Sequence, residues 1–151
     1  MRQATIRAAS PNAKGGDLAQ KSAWAQELAE RGVQRFQDGD FQDAVRLIEA
    51  ALRLEESAER WNDWAAAQLA RANPAESEHG FRRALQMDPG HNQAAANLGV
   101  LLASQGRNLE AIHYLESALA GLAADPRRQV NSILARCRFH IANLGNDDAA
   151  R

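Results

Sequence analysis

The sequence repeats itself at intervals of 33 and 34 residues, and this limits its possible folds more than any other feature. The pair Ala51-Leu52 recurs as Ala84-Leu85 and again as Ala118-Leu119. A small residue recurs in the same register, at Gly32, Ala65 and Gly99. Three copies in register indicate a repeat architecture, in which each unit buries its apolar face against the next.

Each copy has the pattern of two amphipathic helices joined by a short turn. The turns recur as Gly39-Asp40-Phe41, Ala72-Asn73-Pro74 and Gly106-Arg107-Asn108. Apolar residues on either side of them are spaced by three and four, which is the spacing of one helix face. The spacing predicts these inward residues in the second, fifth and sixth helices: Phe41, Ala44, Val45, Ile48, Ala51, Leu52; Ala95, Leu98, Gly99, Leu102; and Ala111, Ile112, Leu115, Ala118, Leu119.

The middle copy resembles the tetratricopeptide repeat family. The residues that carry the resemblance are Trp61, Trp64, Ala65 and Leu69 on its first helix, Phe81, Ala84 and Leu85 on its second, and Pro89 after the end. The resemblance implies an all-α fold, a right-handed superhelical solenoid of antiparallel helix pairs. We expect repeats at about residues 25–57, 58–91 and 92–125, and a capping helix at about 126–144.

The two ends of the chain depart from the repeat pattern. Residues 1–16 are small and polar and contain Pro11, Gly15 and Gly16, so we expect a flexible arm, with the domain spanning 17–144 and a loose tail at 145–151. Asp17 is expected to cap a first helix whose apolar stripe holds Leu18, Ala25, Leu28 and Gly32, with Trp24 beside it. Asp125-Pro126 is expected to start the capping helix and Leu144-Gly145 to stop it, with Val130, Ile133, Leu134, Cys137, Ile141 and Leu144 inward.

Composition narrows the classes of partner. The chain has 151 residues and a formal net charge of −1, which argues against general affinity for nucleic acid. No apolar run approaches the ~20 residues of a membrane-spanning helix. The single cysteine, Cys137, excludes an internal disulfide and fits a reducing compartment. We therefore expect a cytoplasmic protein whose partners are neither nucleic acid nor membrane.

The family resemblance implies a protein-interaction scaffold that binds a partner peptide or helix in a concave groove lined by the first helices. The groove residues expected to contact the partner are Asn62, Asp63, Asn97, Glu59, Gln93, Ala66, Val100, Glu30 and Val33. Family members that hold a chaperone's C-terminal carboxylate use Lys, Arg and Asn where this chain has Ala29, Val33, Asp63, Gln93 and Asn97. Asp63 would repel a carboxylate, so a neutral or basic ligand is favoured.

Other local patterns have a structural interpretation that outweighs the functional one. Cys137 and His140 are three apart on a helix, but two ligands do not make a metal site, and Cys137 continues an apolar stripe. The basic stretch Arg127, Arg128, Arg136 and Arg138 is more typical of a solvated face than of a binding site. Trp61 and Trp64 are more typical of helix packing than of a ligand platform.

Catalysis is not expected. The sequence has no Gly-rich phosphate loop, no metalloprotease histidine pair and no nucleophile elbow, and we expect no cofactor. Two alternatives to the adaptor remain open. The module could self-associate as a homo-oligomer, or it could be a regulatory or targeting module of a larger bacterial enzyme, since such stretches resemble those joined to glycosyltransferases and methyltransferases.

Overall fold

The computed structural model describes the backbone of residues 13–149 and the side chains of residues 16–143. Within that range the chain is helical, with short turns between the helices. The helices are α1 (Ala13–Gln37), α2 (Phe41–Leu54), α3 (Ala58–Ala70), α4 (Pro74–Met87), α5 (Asn92–Ser104), α6 (Asn108–Ala118) and α7 (Ala124–Ala149). The all-α prediction is confirmed. None of the described helices is both long and apolar enough to cross a bilayer.

The helices pair as the repeats predict: α1 packs on α2, α3 on α4 and α5 on α6. Helix α7 packs on α6 and also touches α5. Small residues allow the close approach within each pair. A Cβ added at Gly32 would lie 2.6 Å from Ile48 Cγ1, and one added at Gly99 would lie 2.6 Å from Leu115 Cγ. The recurring small position is therefore a packing requirement of the repeat.

The same backbone turn closes the helix pair in all three repeats. Gly39 and Gly106 have φ of 83° and 75°, in the left-handed region that glycine adopts freely. Ala72 occupies the equivalent place in the middle repeat with φ of 59°, although alanine carries a Cβ that makes this conformation unfavourable. The sequence pattern had aligned these three turns correctly, but it did not show that one of them is strained.

The predicted inward faces of the second, fifth, sixth and seventh helices form the core. Their fully buried members are Ala44, Val45, Ile48, Ala51, Leu52, Ala95, Leu98, Gly99, Leu102, Ala111, Leu115, Ala118, Val130, Ile133, Leu134 and Cys137. Phe41, Ile112, Leu119 and Ile141 are half-buried at the edges of these faces. The side chain of Leu144 lies outside the described residues.

The apolar stripe expected on α1 is wrong at its beginning. Ala25 and Gly32 are buried and Leu28 is half-buried, whereas the exposed fractions of Leu18 and Trp24 are 67% and 62%. Helix α1 has 25 residues and α2 has 14, so at 1.5 Å per residue α2 leaves the first turns of α1 uncovered. Trp24 does not widen the buried stripe, because it faces solvent.

Several predicted helix ends also need correction. Helix α1 begins at Ala13 and α7 at Ala124, so Asp17 and Asp125 lie inside helices and do not cap them. Helix α7 continues through Gly145 to Ala149, so the tail is helical over most of its length. Residues 13–16 are likewise helical, and the rest of the expected N-terminal arm lies outside the described residues.

Capping side chains explain most of the other helix starts. Asp40, Ser57 and His91 each accept a hydrogen bond from the backbone N–H three residues later, which satisfies one of the free donors of α2, α3 and α5. Asn73 makes no such bond, although Pro74 does occupy the first position of α4. Its amide instead donates to Gln68 Oε1 at 2.9 Å, so Asn73 occupies the N-cap position of α4 without a capping side-chain bond.

A buried arginine fixes the short junction between the first two repeats. Arg60 is 7% exposed, and its guanidinium donates to the Glu55 carbonyl at 2.8 Å and to Glu55 Oε2 at 3.0 Å. A longer bond of 3.4 Å reaches Gln26 on α1, and Ser22 on the same helix donates to Glu55 Oε2 at 3.0 Å. These bonds tie α1 to the loop before α3 and thereby set the angle between the two repeats.

Candidate functional site

The candidate site is the surface shared by α1, α3, α5 and the start of α7, here called the groove. Successive members of this row touch one another, α1 with α3, α3 with α5, and α5 with α7. The second helices of each repeat stand behind this row, because each packs on its own first helix. A partner lying across the row would therefore meet side chains from three repeats and the capping helix.

The first part of the groove is a polar cavity of about 300 Å³ between α1 and α3, here called the acidic pocket. Its lining consists of Gln26, Ala29, Glu30, Val33, Gln34, Gln37, Ser57, Glu59, Arg60 and Asp63. An adjoining cavity of about 250 Å³ shares Val33, Gln37 and Asp63 with it and is otherwise apolar, lined by Phe36, Ile48 and Ala66. A long side chain could therefore place an apolar stem on the second cavity and a polar head in the first.

Asp63 sits where these two cavities meet, and its environment disfavours a negative charge. Burial, and to a smaller extent the neighbouring Glu59, raises the pKa of its carboxyl to about 6. The hydrogen bond from Asn62 and the nearby His91 act in the opposite direction, and they are outweighed. The carboxyl of Asp63 therefore carries its charge at neutral pH at a cost in free energy to the folded protein.

A ladder of amide side chains links α5 to Asp63 on α3. Gln93 donates to Asn97 Oδ1 at 3.0 Å, and Asn97 donates to Asn62 Oδ1 at 3.0 Å. Asn62 in turn donates to Asp63 Oδ1 at 3.4 Å. Because an amide offers two N–H groups and two lone pairs, Gln93 and Asn97 keep hydrogen-bonding capacity for a ligand.

Glu59 is held at the rim of the acidic pocket by a histidine from the next repeat. The His91 Nδ1 accepts the N–H of Ala94 at 3.2 Å, so in the neutral ring the proton is on Nε2. That nitrogen donates to Glu59 Oε2 at 3.1 Å. The bond fixes the orientation of the Glu59 carboxylate.

The second part of the groove is a cavity of about 140 Å³ over α5, here called the apolar pocket. Leu69, Ala96, Val100, Pro126 and Val130 give it an apolar wall, and the amides of Gln93, Asn97 and Gln129 stand at its edge. Val100 is half-buried and Leu69 is 38% exposed, so this wall is open to solvent. It can accept one apolar side chain of a partner.

The structure brings eight of the nine predicted groove residues into these cavities. The acidic pocket and its neighbour contain Glu30, Val33, Glu59, Asp63 and Ala66, and the apolar pocket contains Gln93, Asn97 and Val100. Asn62 is only 5% exposed and is the buried member of the amide ladder. It therefore supports Asn97 and Asp63 from below and does not itself face the groove.

Sequence reasoning missed the contribution of α7 and of Arg60. Pro126, Gln129 and Val130 lie outside the three repeats, and their place in the groove follows only from how α7 packs. Arg60 lines the acidic pocket but is already paired with Glu55. The one available signal was the Asp125-Pro126 step, which repeats the Asp88-Pro89 step that precedes α5.

Another cavity, of about 370 Å³, lies away from the groove, between α2, α3 and α4. Its walls include Trp61 and Trp64, whose rings meet edge to face with centroids 5.5 Å apart. Trp64 is buried and donates to Glu49 at 3.1 Å, as expected of helix packing. The other carboxylate in the wall, Glu56, is paired with an arginine at 2.9 Å.

The basic stretch on α7 is mostly engaged with its own fold. Arg127 donates to the Leu122 carbonyl at 3.1 Å, and Arg138 pairs with Glu116 at 2.6 Å. Cys137 is buried while His140 is exposed, so the two do not face a common site. Among the residues described, no three His, Cys, Asp or Glu side chains are grouped as metal ligands would be.

Comparisons with known proteins agree with this architecture. Residues 62–128 match the family model of the tetratricopeptide repeat. Among curated proteins, no sequence matches the chain. The Arabidopsis OM64 tetratricopeptide domain is 21% identical in sequence, covers 80% of this chain and 98% of its own, and superposes with a TM-score of 0.72.

Two similar structures contain bound peptides. The Yersinia enterocolitica type III secretion chaperone SycD, in complex with a peptide of the translocator YopD, is 19% identical over 76% of this chain and 92% of its own, with a TM-score of 0.69. The first tetratricopeptide domain of Spaghetti, bound to the HSP90 peptide SRMEEVD, is 17% identical over 80% and 95%, with a TM-score of 0.73. Residues 62–128 therefore match tetratricopeptide repeats, and the described chain has the helical solenoid fold of the similar structures.

Proposed function

We propose that this protein is an interaction module, not an enzyme, and that it binds a peptide segment of a partner protein in the groove. The observation that carries the proposal is the row of cavities on α1, α3, α5 and α7, joined by an amide ladder with free hydrogen-bonding capacity. Side-chain amides suit the backbone of an extended peptide, since they both donate and accept. The cytoplasmic location belongs to the same proposal and rests on the single cysteine.

The similar structures support peptide binding, but the charge of this groove favours a ligand different from the acidic peptide bound by one of them. SycD and the Spaghetti domain were each solved with a peptide, and the peptide of the latter, SRMEEVD, has three acidic residues among its last four. In this chain the groove carries Glu30, Glu59 and Asp63, which would repel such a tail. The proposed partner segment is therefore neutral or basic.

The test is a selection from a displayed library of random peptides, followed by affinity measurements on synthetic peptides by fluorescence anisotropy. The groove variant carries Asp63→Asn, Gln93→Ala and Asn97→Ala, and it spares Asn62 because that residue is buried. An outer-face variant, Gln42→Ala with Glu76→Gln, changes exposed residues of α2 and α4 and serves as the matched control.

We expect the groove variant to bind the selected peptides at least about tenfold more weakly than wild type, which is about 1.4 kcal/mol. The outer-face variant should bind them as wild type does. If wild type enriches no peptide, or if the groove variant binds as tightly as wild type, the groove is not a peptide site.

Self-association is a second candidate, favoured by one observation. Leu18 and Trp24 project from α1 with exposed fractions of 67% and 62%, where no other described helix covers them. Light scattering at micromolar concentrations should then give a dimer or larger mass that the variant Leu18→Ser with Trp24→Ser loses. A monomer mass for wild type across that range would eliminate this candidate.

A further inference from the structure

The two ends of the groove differ in chemistry, and this difference specifies a ligand. The acidic pocket on α1 and α3 presents Glu30, Glu59 and Asp63, while the apolar pocket on α5 presents an open hydrocarbon wall. The following inference rests on the proposed peptide-binding function and concerns which peptide is bound.

Carboxylates in the acidic pocket lack the arginine partners that Glu78 and Glu110 have. On the second helices, Glu78 lies 2.7 Å from Arg107 and 2.8 Å from Arg82, and Glu110 is shared by the same two arginines. In the described part of the pocket, Glu30 and Asp63 form no ion pair, and Glu59 contacts only a histidine.

The cation that lines the acidic pocket is not free to neutralise these groups. Arg60 is buried, and its guanidinium is taken up by the carboxylate and the carbonyl of Glu55. The pocket therefore keeps an excess of negative charge beside an apolar cavity lined by Val33, Phe36 and Ala66. A lysine or arginine side chain matches both features, with its stem on the apolar cavity and its head among the carboxylates.

The spacing of the two pockets sets the spacing within the ligand. Adjacent packed helices lie about 9 Å apart, and the apolar pocket over α5 is one and a half such steps from the gap between α1 and α3, or about 14 Å. An extended chain rises about 3.3 Å per residue, so this distance spans roughly four residues. Between the two pockets, Gln93 and Asn97 can hydrogen-bond the peptide backbone.

We propose that the groove binds an extended peptide in which a lysine or arginine and a large apolar residue are separated by three to five positions. The basic side chain enters the acidic pocket against Asp63, and the apolar one packs on Leu69 and Val100. Each pocket then fixes one anchor, and the amide ladder fixes the register between them.

The test uses the library of random peptides with the full chain as bait, in wild type and two pairs of variants. Asp63→Asn removes the charge at the acidic pocket, and Glu27→Gln removes an exposed carboxylate from the same protein outside the groove. Leu69→Ala truncates the apolar pocket, and Leu109→Ala truncates a leucine that is 74% exposed on α6.

Wild type, Glu27→Gln and Leu109→Ala should enrich peptides with both anchors at the stated spacing. Replacing the basic residue of a selected synthetic peptide by glutamine should weaken binding to wild type at least tenfold, and binding to Asp63→Asn by a smaller factor. Replacing the apolar residue of the peptide by serine should likewise weaken binding to wild type more than it weakens binding to Leu69→Ala. This coupling distinguishes direct contact from a general effect on the fold.

The outcomes separate this inference from the function it rests on. The ligand class is wrong, and peptide binding stands, if selected peptides bind in the groove but share no basic anchor. The same conclusion follows if replacing the basic residue by glutamine lowers the affinity for wild type and for Asp63→Asn by the same factor. If no peptide is enriched, or if the groove variant described above binds as wild type does, both proposals fall together.

Discussion

Replacing Asp63 by asparagine is expected to stabilise the protein, increasingly so as the pH rises. The pKa of Asp63 is raised from its ordinary 3.8 to about 6 in the folded chain, mainly by burial and then by Glu59. A carboxyl whose pKa is higher in the folded than in the unfolded chain favours folding when it is protonated. Its contribution to the free energy of unfolding is therefore fully present below about pH 4. That contribution is lost as the pH rises through about 6, and above this the charged group opposes folding.

The size of the effect follows from the two pKa values. The folded and ordinary pKa values differ by about two pKa units. Because one pKa unit corresponds to about 1.4 kcal/mol, the effect on the free energy of unfolding is at most about 3 kcal/mol. Partial solvent access and local relaxation reduce the figure, so we expect about 1–3 kcal/mol. Asparagine has the same shape, and its side-chain oxygen can still accept the hydrogen bond from Asn62.

Urea unfolding followed by circular dichroism at pH 4, 5, 6, 7 and 8 measures this effect. The free energy of unfolding of Asp63→Asn should exceed that of wild type by an amount that grows between pH 4 and 6 and is constant above pH 7. Glu27→Gln removes an exposed charge and should show no such growth. A difference between Asp63→Asn and wild type that does not change with pH would refute the argument from burial.

Three further substitutions test the packing and the turns by the same unfolding measurement. Ala72→Gly should stabilise the protein by about 1 kcal/mol, because it relieves the left-handed conformation, and a loss would show that the turn is unstrained. Gly99→Ala should destabilise the protein by about 1–3 kcal/mol, because the added Cβ clashes with Leu115. Gly16→Ala should be neutral or stabilising, because its Cβ meets nothing within 4 Å. Equal effects of the two substitutions would contradict the packing argument. Arg60→Met should cost about 2 kcal/mol by removing the bonds at the first junction, and an unchanged stability would exclude that role.

The sequence predicted what depends on periodicity. The apolar faces of α2, α5 and α6 were identified from spacings of three and four, because a helix that packs on one side must show that pattern. The turns were aligned from Gly39 and Gly106, since glycine marks a left-handed residue. The groove residues followed from the repeat frame, in which equivalent positions of each first helix face the same way.

What the sequence could not predict depends on where one helix ends relative to another. Leu18 continues the spacing of Ala25 and Gly32, yet it is exposed. The reason is that α2 ends level with Ser22, whose hydroxyl donates a hydrogen bond to Glu55 just after the end of α2. The periodicity of a helix states which face is apolar but not how far its neighbour reaches.

Polar residues were harder to place than apolar ones for a related reason. Arg60 and Asn62 lie two positions apart on α3, and both are buried, but nothing in their types or spacing indicates it. Their burial depends on partners that lie far along the chain, such as Asn97 35 residues later. A buried polar group is recognised by its hydrogen bonds, and these exist only in the folded chain.

Asp63 is the residue at which stability and binding are expected to oppose each other. A residue that only maintained the fold would, when replaced, lower both the free energy of unfolding and the affinity for a peptide. Asp63→Asn is expected to raise the first and lower the second, because the charge that burial penalises in the free protein is the charge that a basic anchor would neutralise in the complex. The two measurements on one variant thus separate a strained structural carboxylate from a ligand-binding one: a gain in stability without a loss in affinity would leave the raised pKa explained and the basic anchor unsupported.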